Sequence, residues 1–378
     1  MESFLYLPQD LVVEIMSWLP PESLIQFKCV NKSWYSLITD LTNDPTFVAK
    51  HLLNQNNKLF SSTKIAFSCL HIYEKPVYNF KELFSVLTLP NPDCFEEDHI
   101  VSTNQDLNLP AIPDEKDLRC VTVSECNGIV CLADYYDHIV LSNPAINQIK
   151  FLPKSCLGDR FVLQGVGFGY DSRADDYKVV RFGRDMTVYP RAELYSLNSD
   201  SWKEIDMDID RDYFPSLNLQ VYNNGVFYWY MSGPRNMICA FDMSDEAFQT
   251  IPLPDNLQAQ SSSLGVWNDS LALFVCPGEK GASESLCIDI WLMNDCCSWS
   301  KKLTIGPLVG VDCPLGFWKN DELLMRATNV KQLVSYNVGT QKLRNLTIDG
   351  LDGIGCRAFS YVKSLVSLQG KGQAQLAI

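Results

Sequence analysis

The chain has 378 residues, a formal net charge of −14, 46% hydrophobic residues and 20% charged ones. That is ample apolar mass for real cores and too little charge for disorder, while the acidic balance disfavours nucleic acid as a partner. No apolar run is long enough for a membrane helix, and the opening MESFLYLPQD has neither a basic n-region nor a small-residue cleavage site, so neither a membrane association nor a secretory signal is expected. A protein of the cytoplasm or nucleus is the expectation.

The first predicted elements are three short helices between Leu7 and Ile38, LPQDLVVEIMSWLPPESLIQFKCVNKSWYSLI. Pro8 opens the first, where a missing N–H costs nothing, and Asp10 complements the helix dipole. Leu11, Val12, Ile15, Trp18 and Leu19 recur at helical spacing and form one broad stripe. Pro20-Pro21 stops this helix, and Pro21-Glu22-Ser23 starts a second that carries Leu24, Ile25 and Phe27. Asn31 caps a third that presents Trp34, Leu37 and Ile38. So small a bundle cannot bury all this apolar surface alone, which predicts a neighbour. Asp44-Pro45 caps a fourth helix, TFVAKHLLNQ, and closes an all-α unit over residues 1–53.

The order Leu-Pro, Asp-Leu, Glu-Ile, Leu-Pro, Leu, Phe, Val, Lys-x-Trp resembles the F-box, the helical motif that docks on a Skp-family adaptor. Through that adaptor an F-box protein joins a cullin scaffold in a ubiquitin ligase. The resemblance puts Leu7, Pro8, Leu11, Ile15, Leu19, Pro20, Leu24, Phe27, Val30 and Trp34 at the adaptor-facing and core positions of the motif. The competing reading is an ordinary helical cap whose stripe packs on its own chain.

Residues 54–63, NQNNKLFSST, are polar and read as a junction; from 64 to 378 the pattern changes to short β-type runs such as GIVCLAD, DYKVVRF, GVFYWYM and SLALFV. Two marks repeat along them. A tight polar turn before an apolar strand recurs at Asn127-Gly128, Asp175-Asp176, Asn224-Gly225, Asn268-Asp269 and Asn320-Asp321, in steps of 48, 49, 44 and 52. A strand running into a second polar turn recurs near Asn143, Asn198, Met243, Met293 and Asn337, in steps of 55, 45, 50 and 44. A unit near fifty residues with several strands is the size of one blade of a kelch-like β-propeller. Five units are clear and residues 64–113 supply a weaker sixth. The end CRAFSYVKSLVSL is expected to return as a strand and close the ring. Six blades are expected, with seven blades, an open ring or paired β-sandwiches as alternatives.

The segments GFGYDSRADDYKVVRF, ELYSLNSDSWKEI, VYNNGVFYWYM, FDMSDEAFQTIPLP, LGVWNDSLALF and PLGFWKNDELLM resemble the F-box-associated domain of plant F-box proteins. With YSLITDLTNDPTFVAKHLL and the ending SYVKSLVSL, the whole chain is similar to S-locus F-box proteins, although Leu141-Ser142-Asn143-Pro144 replaces the commoner Trp-Asn-Pro. The resemblance implies a pollen protein that captures non-self S-RNases and directs their ubiquitination. A receptor for another plant regulatory protein, or a glycan-binding propeller, is the alternative.

No catalytic constellation, cofactor motif or metal site is legible. With fourteen cysteines there is no C-x-x-C, four histidines are scattered, and Gly165-Val-Gly167-Phe-Gly169 lies in a β run with no helix after it. Most cysteines are expected to be small buried hydrophobes. Residues 51–378 retain 39 acidic and 28 basic residues, a balance of −11 that suits a basic protein substrate. The local acidic clusters are Asp93, Glu96, Glu97 and Asp98; Asp171, Asp175 and Asp176; and Asp206, Asp208, Asp210 and Asp212, the candidate substrate-facing loops. The tryptophans at blade spacing read as sheet core rather than as a sugar platform.

Overall fold

The computed structural model of the protein describes residues 7–56, 63–73, 79–89, 99–101, 103–106, 120–134, 138–158, 161–184, 190–255, 257, 261–277, 285–294, 297–319, 321–328, 332–347 and 354–370. Four helices come first: α1 (Gln9–Trp18), α2 (Pro21–Phe27), α3 (Lys32–Asn43) and α4 (Pro45–Asn56). Their ends lie where the punctuation puts them. The Asn31 side chain accepts the Trp34 N–H at 2.9 Å, and Asp44 accepts that of Thr46 at 2.9 Å. Met16, Leu24, Ile38 and Phe47 form the buried centre, and Phe27 meets Trp34 edge to face at 5.4 Å. The end of α1 is tied to α4 by fully buried His51, whose Nε2–H donates to the Leu19 carbonyl at 2.8 Å. Burial keeps that imidazole neutral by lowering its pKa.

An all-β propeller domain follows. In chain order its first strands are β1 (Thr63–Tyr73), β2 (Asn79–Leu89), β3 (His99–Val101) and β4 (Thr103–Asp106). The next four, β5 (Cys120–Cys126), β6 (Ile129–Asp134), β7 (Ile139–Asn143) and β8 (Gln148–Phe151), make one antiparallel sheet, with a 3-10 turn at Pro144–Ile146. A second comprises β9 (Val162–Asp171), β10 (Asp176–Arg184), β11 (Pro190–Ser196) and β12 (Ser201–Ile205). A third comprises β13 (Phe214–Asn223), β14 (Val226–Ser232), β15 (Met237–Asp242) and β16 (Ala247–Pro252). Then come β17 (Ser261–Trp267), β18 (Ser270–Cys276), β19 (Ser285–Met293) and β20 (Trp299–Val309), and after them β21 (Val311–Lys319), β22 (Glu322–Ala327), β23 (Leu333–Asn337) and β24 (Lys342–Thr347).

Among the described residues five sheets are thus built from consecutive strands, and a sixth is composite: the last described strand, β25 (Ile354–Ser360), pairs with β1, and β2 and β4 complete it. The innermost strands run β5, β9, β13, β17, β21, β25, each against the next, and β25 meets β5 again. Two details depart from expectation. β3 leaves its own sheet and adds in parallel to β24, from Asn345↔His99 to Thr347↔Val101. The returning strand is only Ile354–Ser360; the rest of the ending, residues 361–370, is a strap without regular secondary structure. The expected junction falls partly within α4, and residues 57–62 lie outside the described ones, as do 107–113 of the weaker blade.

Sheets packed face to face bury both sides of their middle strands, so β6 is buried at every position and reads as an unbroken apolar run. The outer strand β8 alternates half-buried and exposed instead. Both repeating marks are turns with left-handed residues. Asn127, Asp175, Asn224 and Asn268 have φ between 46° and 53° in the first, and Asn147, Asp200, Glu246, Cys297 and Gln341 have φ between 51° and 58° in the second. Short amides and carboxylates tolerate that region, which explains the recurring Asn and Asp of the first mark. The glycine run has a packing role: a Cβ on Gly165 would strike Phe182, and one on Gly167 would strike Phe227 and Trp229. The three alternate glycines of β9 let the aromatic rings of the sheets approach closely.

Candidate functional site

The antiparallel order sends the tight turns to one end of the ring and the longer connections to the other. The helical unit sits at the tight-turn end. Ile146 of the 3-10 turn packs on its core, and Leu365 of the strap, 2% exposed, is inserted among Met16, Leu24, Ile38 and Phe47. The strap is itself held by the ring. Asn143 Nδ2 donates to the Val366 carbonyl at 2.8 Å, the Gln148 side chain accepts the Leu368 N–H at 2.7 Å, and Val366 and Leu368 enter the core of the first two consecutive-strand sheets. Lys363 pairs with Glu22 of α2.

The other side of the helical unit is uncovered. Leu11, Ile15 and Trp18 along one face of α1, and Leu7 just before it, are each 43–47% exposed, and Val30 is 60% exposed. Pro8 and Pro20 are exposed beside them, while Leu19, Phe27 and Trp34 are half-buried. Leu24, at 1%, lies in the core with the strap and not on the outward stripe. Ile25 and Tyr35, outside the predicted set, also face outward. Their exposure was not legible, because the partner that covers the opposite side, Leu365, lies more than three hundred positions away in the sequence.

The acidic clusters separate by role. Asp93, Glu96, Glu97 and Asp98 lie outside the described residues. Asp171 is buried and takes the Lys178 ammonium at 2.6 Å, the Ser244 hydroxyl at 2.5 Å and the N–H groups of Arg173 and Ala174. Burial alone would raise its pKa, but these donors hold it far below the usual carboxylate range. Asp176 is buried too, accepting from Ser196 at 2.5 Å and the Asn198 N–H at 3.0 Å. Asp175 is exposed in its tight turn and accepts the Tyr170 hydroxyl at 2.7 Å. These three stand at the same end as the helices. Asp206, Asp208, Asp210 and Asp212 are all exposed at the far end, alternating with Met207 and Ile209, which anchor the segment in the sheet core.

A central channel of about 570 Å³ is lined by the innermost strands. Inside it Glu125 accepts the Gly128 N–H at 2.6 Å, and burial pushes its pKa up to about 8. Folded chain therefore binds this proton where unfolded chain has lost it, so stability falls as pH rises from about 4.5 to 8. Glu125→Gln is expected to flatten that slope and to raise the melting temperature at pH 8, read by thermal denaturation across pH. An unchanged slope removes Glu125 as its source.

The tryptophans of the ring pack in its sheets. Trp229 is fully buried, Trp267 stacks on Phe317 at 4.6 Å, and Trp202 and Trp299 donate to the carbonyls of Pro153 and Pro252. Among the described residues no group of His, Cys, Asp and Glu is arranged to hold a metal ion, and no helix is long and apolar enough to cross a membrane.

Two family models match this chain. Residues 4–45 match the F-box domain, and residues 77–368 match the F-box associated beta propeller domain. A putative F-box protein of Arabidopsis thaliana is 31% identical over 65% of this chain and 61% of its own length, less than two thirds. An F-box/kelch-repeat protein of the same plant is 29% identical over 96% of this chain and 95% of its own. Among solved structures, the oligogalacturonate lyase of Vibrio parahaemolyticus covers 78% of this chain and 86% of its own with a TM-score of 0.42 at 9% identity, a likeness too distant to bear on activity.

Proposed function

Because the chain belongs to the family of F-box proteins that carry an F-box-associated β-propeller, we propose that it is the substrate-recognition subunit of a Skp–cullin–F-box ubiquitin ligase whose target is an S-RNase in the pollen tube. F-box proteins are in general non-catalytic adaptors, and an F-box implies a Skp-type adaptor as partner. In this reading residues 1–53 dock on the adaptor, residues 64–378 hold the target, and six kelch-like blades make up the ring. The gain is proximity: a captured target keeps its lysines near the recruited conjugating enzyme. The observation that carries the docking half is the uncovered stripe of Leu7, Leu11, Ile15 and Trp18, which lies on the side of the helices facing away from the ring.

The S-RNase target and action in pollen rest on the sequence resemblance and on charge, since the balance of −11 over residues 51–378 attracts basic proteins. The Arabidopsis relatives, whose names carry no pollination role, favour the second reading, a receptor for another plant protein. Ubiquitination of purified S-RNases in a reconstituted reaction separates the two.

Leu11→Asp is expected to weaken adaptor binding by about a hundredfold or more, because it desolvates a charge at the interface, with no change in the melting of the ring. Retained adaptor affinity in a titration of this variant would sink the docking assignment. Leu24→Asp is not an equivalent test, because Leu24 is a core residue and its loss disturbs the helical unit itself.

A further inference from the structure

We infer that the target docks on the end of the ring opposite the helices, at the connection between the sheets of β9–β12 and β13–β16, and that this surface fits a basic protein with an exposed apolar spot. The inference rests on the receptor reading above and adds the place and chemistry of capture.

Among the described residues the exposed large apolar side chains of the ring are unevenly spread. Phe151, Val162, Phe214 and Val309 all stand at the end of the long connections, against Ile149 and Leu343 elsewhere. Val162 and Phe214 share a neighbour. Val162 pairs with Arg184 across β9 and β10, and the Arg184 guanidinium lies 4.1 Å from the centre of the Phe214 ring. The same guanidinium donates to the carbonyls of Arg211 and Tyr213, which fastens the acidic segment beside the two apolar side chains. Val162, at 60%, and Phe214, at 49%, thus form an apolar centre held on a fixed arginine.

Its rim is acidic. Residues 206–212 carry four exposed aspartates and one exposed arginine. Apolar anchors flanked by a segment of net negative charge suit a partner of opposite charge, with contact area supplying residence time and the aspartates supplying encounter rate. β13 is ten residues long, so at about 3.3 Å per residue this surface is about 30 Å from the tight turns. A bound target would leave the helical stripe clear for the adaptor.

The test uses the full chain bound to its adaptor and two probes: purified S-RNase, and a synthetic twelve-residue peptide of alternating arginine and leucine. Phe214→Ser is expected to weaken binding about tenfold through faster dissociation. Replacing Asp206, Asp208, Asp210 and Asp212 together by Asn is expected to slow association about tenfold at low salt and to flatten its salt dependence. Asp245→Asn, at the tight-turn end, leaves both rates unchanged, and every variant keeps its adaptor affinity. If the peptide binds in the aspartate-dependent way and the S-RNase does not bind, the surface stands and the S-RNase target falls. The inference is overturned if neither probe binds wild type, or if bound probes ignore both changes at this end.

Discussion

Replacing Leu365 by aspartate is expected to unseat the helical unit while the ring stays folded. Leu365 is 2% exposed and completes a core otherwise made of Met16, Leu24, Ile38 and Phe47. Removing a buried leucine typically costs about 2–5 kcal/mol, and a carboxylate in its place adds the cost of desolvating a charge. A helical unit of about fifty residues has little stability to lose, so its cooperative structure should disappear. Hydrogen exchange should then show α1 to α4 unprotected and β14 still protected, and adaptor binding should fall although the strap never touches the adaptor stripe. Leu365→Ile, which conserves volume, should behave as wild type. Helices that stay protected in the aspartate variant would mean that the strap does not hold them.

The second large effect is expected at Lys178. Its ammonium reaches Asp171 at 2.6 Å, the Met243 carbonyl at 2.9 Å and Glu246 at 2.8 Å, so one buried cation joins the sheets of β9–β12 and β13–β16. Burial opposes the charge, yet the two carboxylates keep its pKa above the ordinary value. Lys178→Met leaves Asp171 buried beside a methyl group, and breaking a buried pair in this way costs about 3–5 kcal/mol. Adding Asp171→Asn should recover most of that loss, because the amide oxygen still accepts from Arg173 and Ala174 while the orphaned charge is gone. The depressed carboxyl contributes stability that is complete above about pH 4 and is lost as pH falls below it, so the double variant should also resist acid better. Chemical denaturation of the two variants decides the matter. A double variant no more stable than the single one would place the cost in lost packing.

Several features of the fold are legible in the sequence itself. The first set of left-handed turns announced itself through Asn and Asp at regular steps, since those side chains accept that backbone more readily than most, whereas Glu246, Cys297 and Gln341 in the second set gave no such sign. The helix ends followed from Pro20-Pro21, Asn31 and Asp44, whose effects are local. Unbroken apolar runs such as IVCLAD marked strands buried on both faces. Where the pattern was non-local it failed: β3 crosses to β24, and SYVKSLVSL looks like a strand by composition but serves as a strap. Spacing alone likewise could not say that Gly165, Gly167 and Gly169 make room for Phe182, Trp229 and Tyr222.

The acidic residues show the boundary most clearly. Asp171 and Asp212 look alike along the chain, yet one is buried on an ammonium and the other faces solvent. Local chemistry determined the helices, the turns, the repeated sheets and the family, because each depends on neighbours a few residues apart. Which apolar stripe remained free, which carboxylates were committed inside, and which end of the ring faces outward were decided only by the tertiary structure. Those outcomes depend on Leu365 meeting Leu24 and Lys178 meeting Glu246, and long-range pairs of that kind leave no periodic trace in a single sequence.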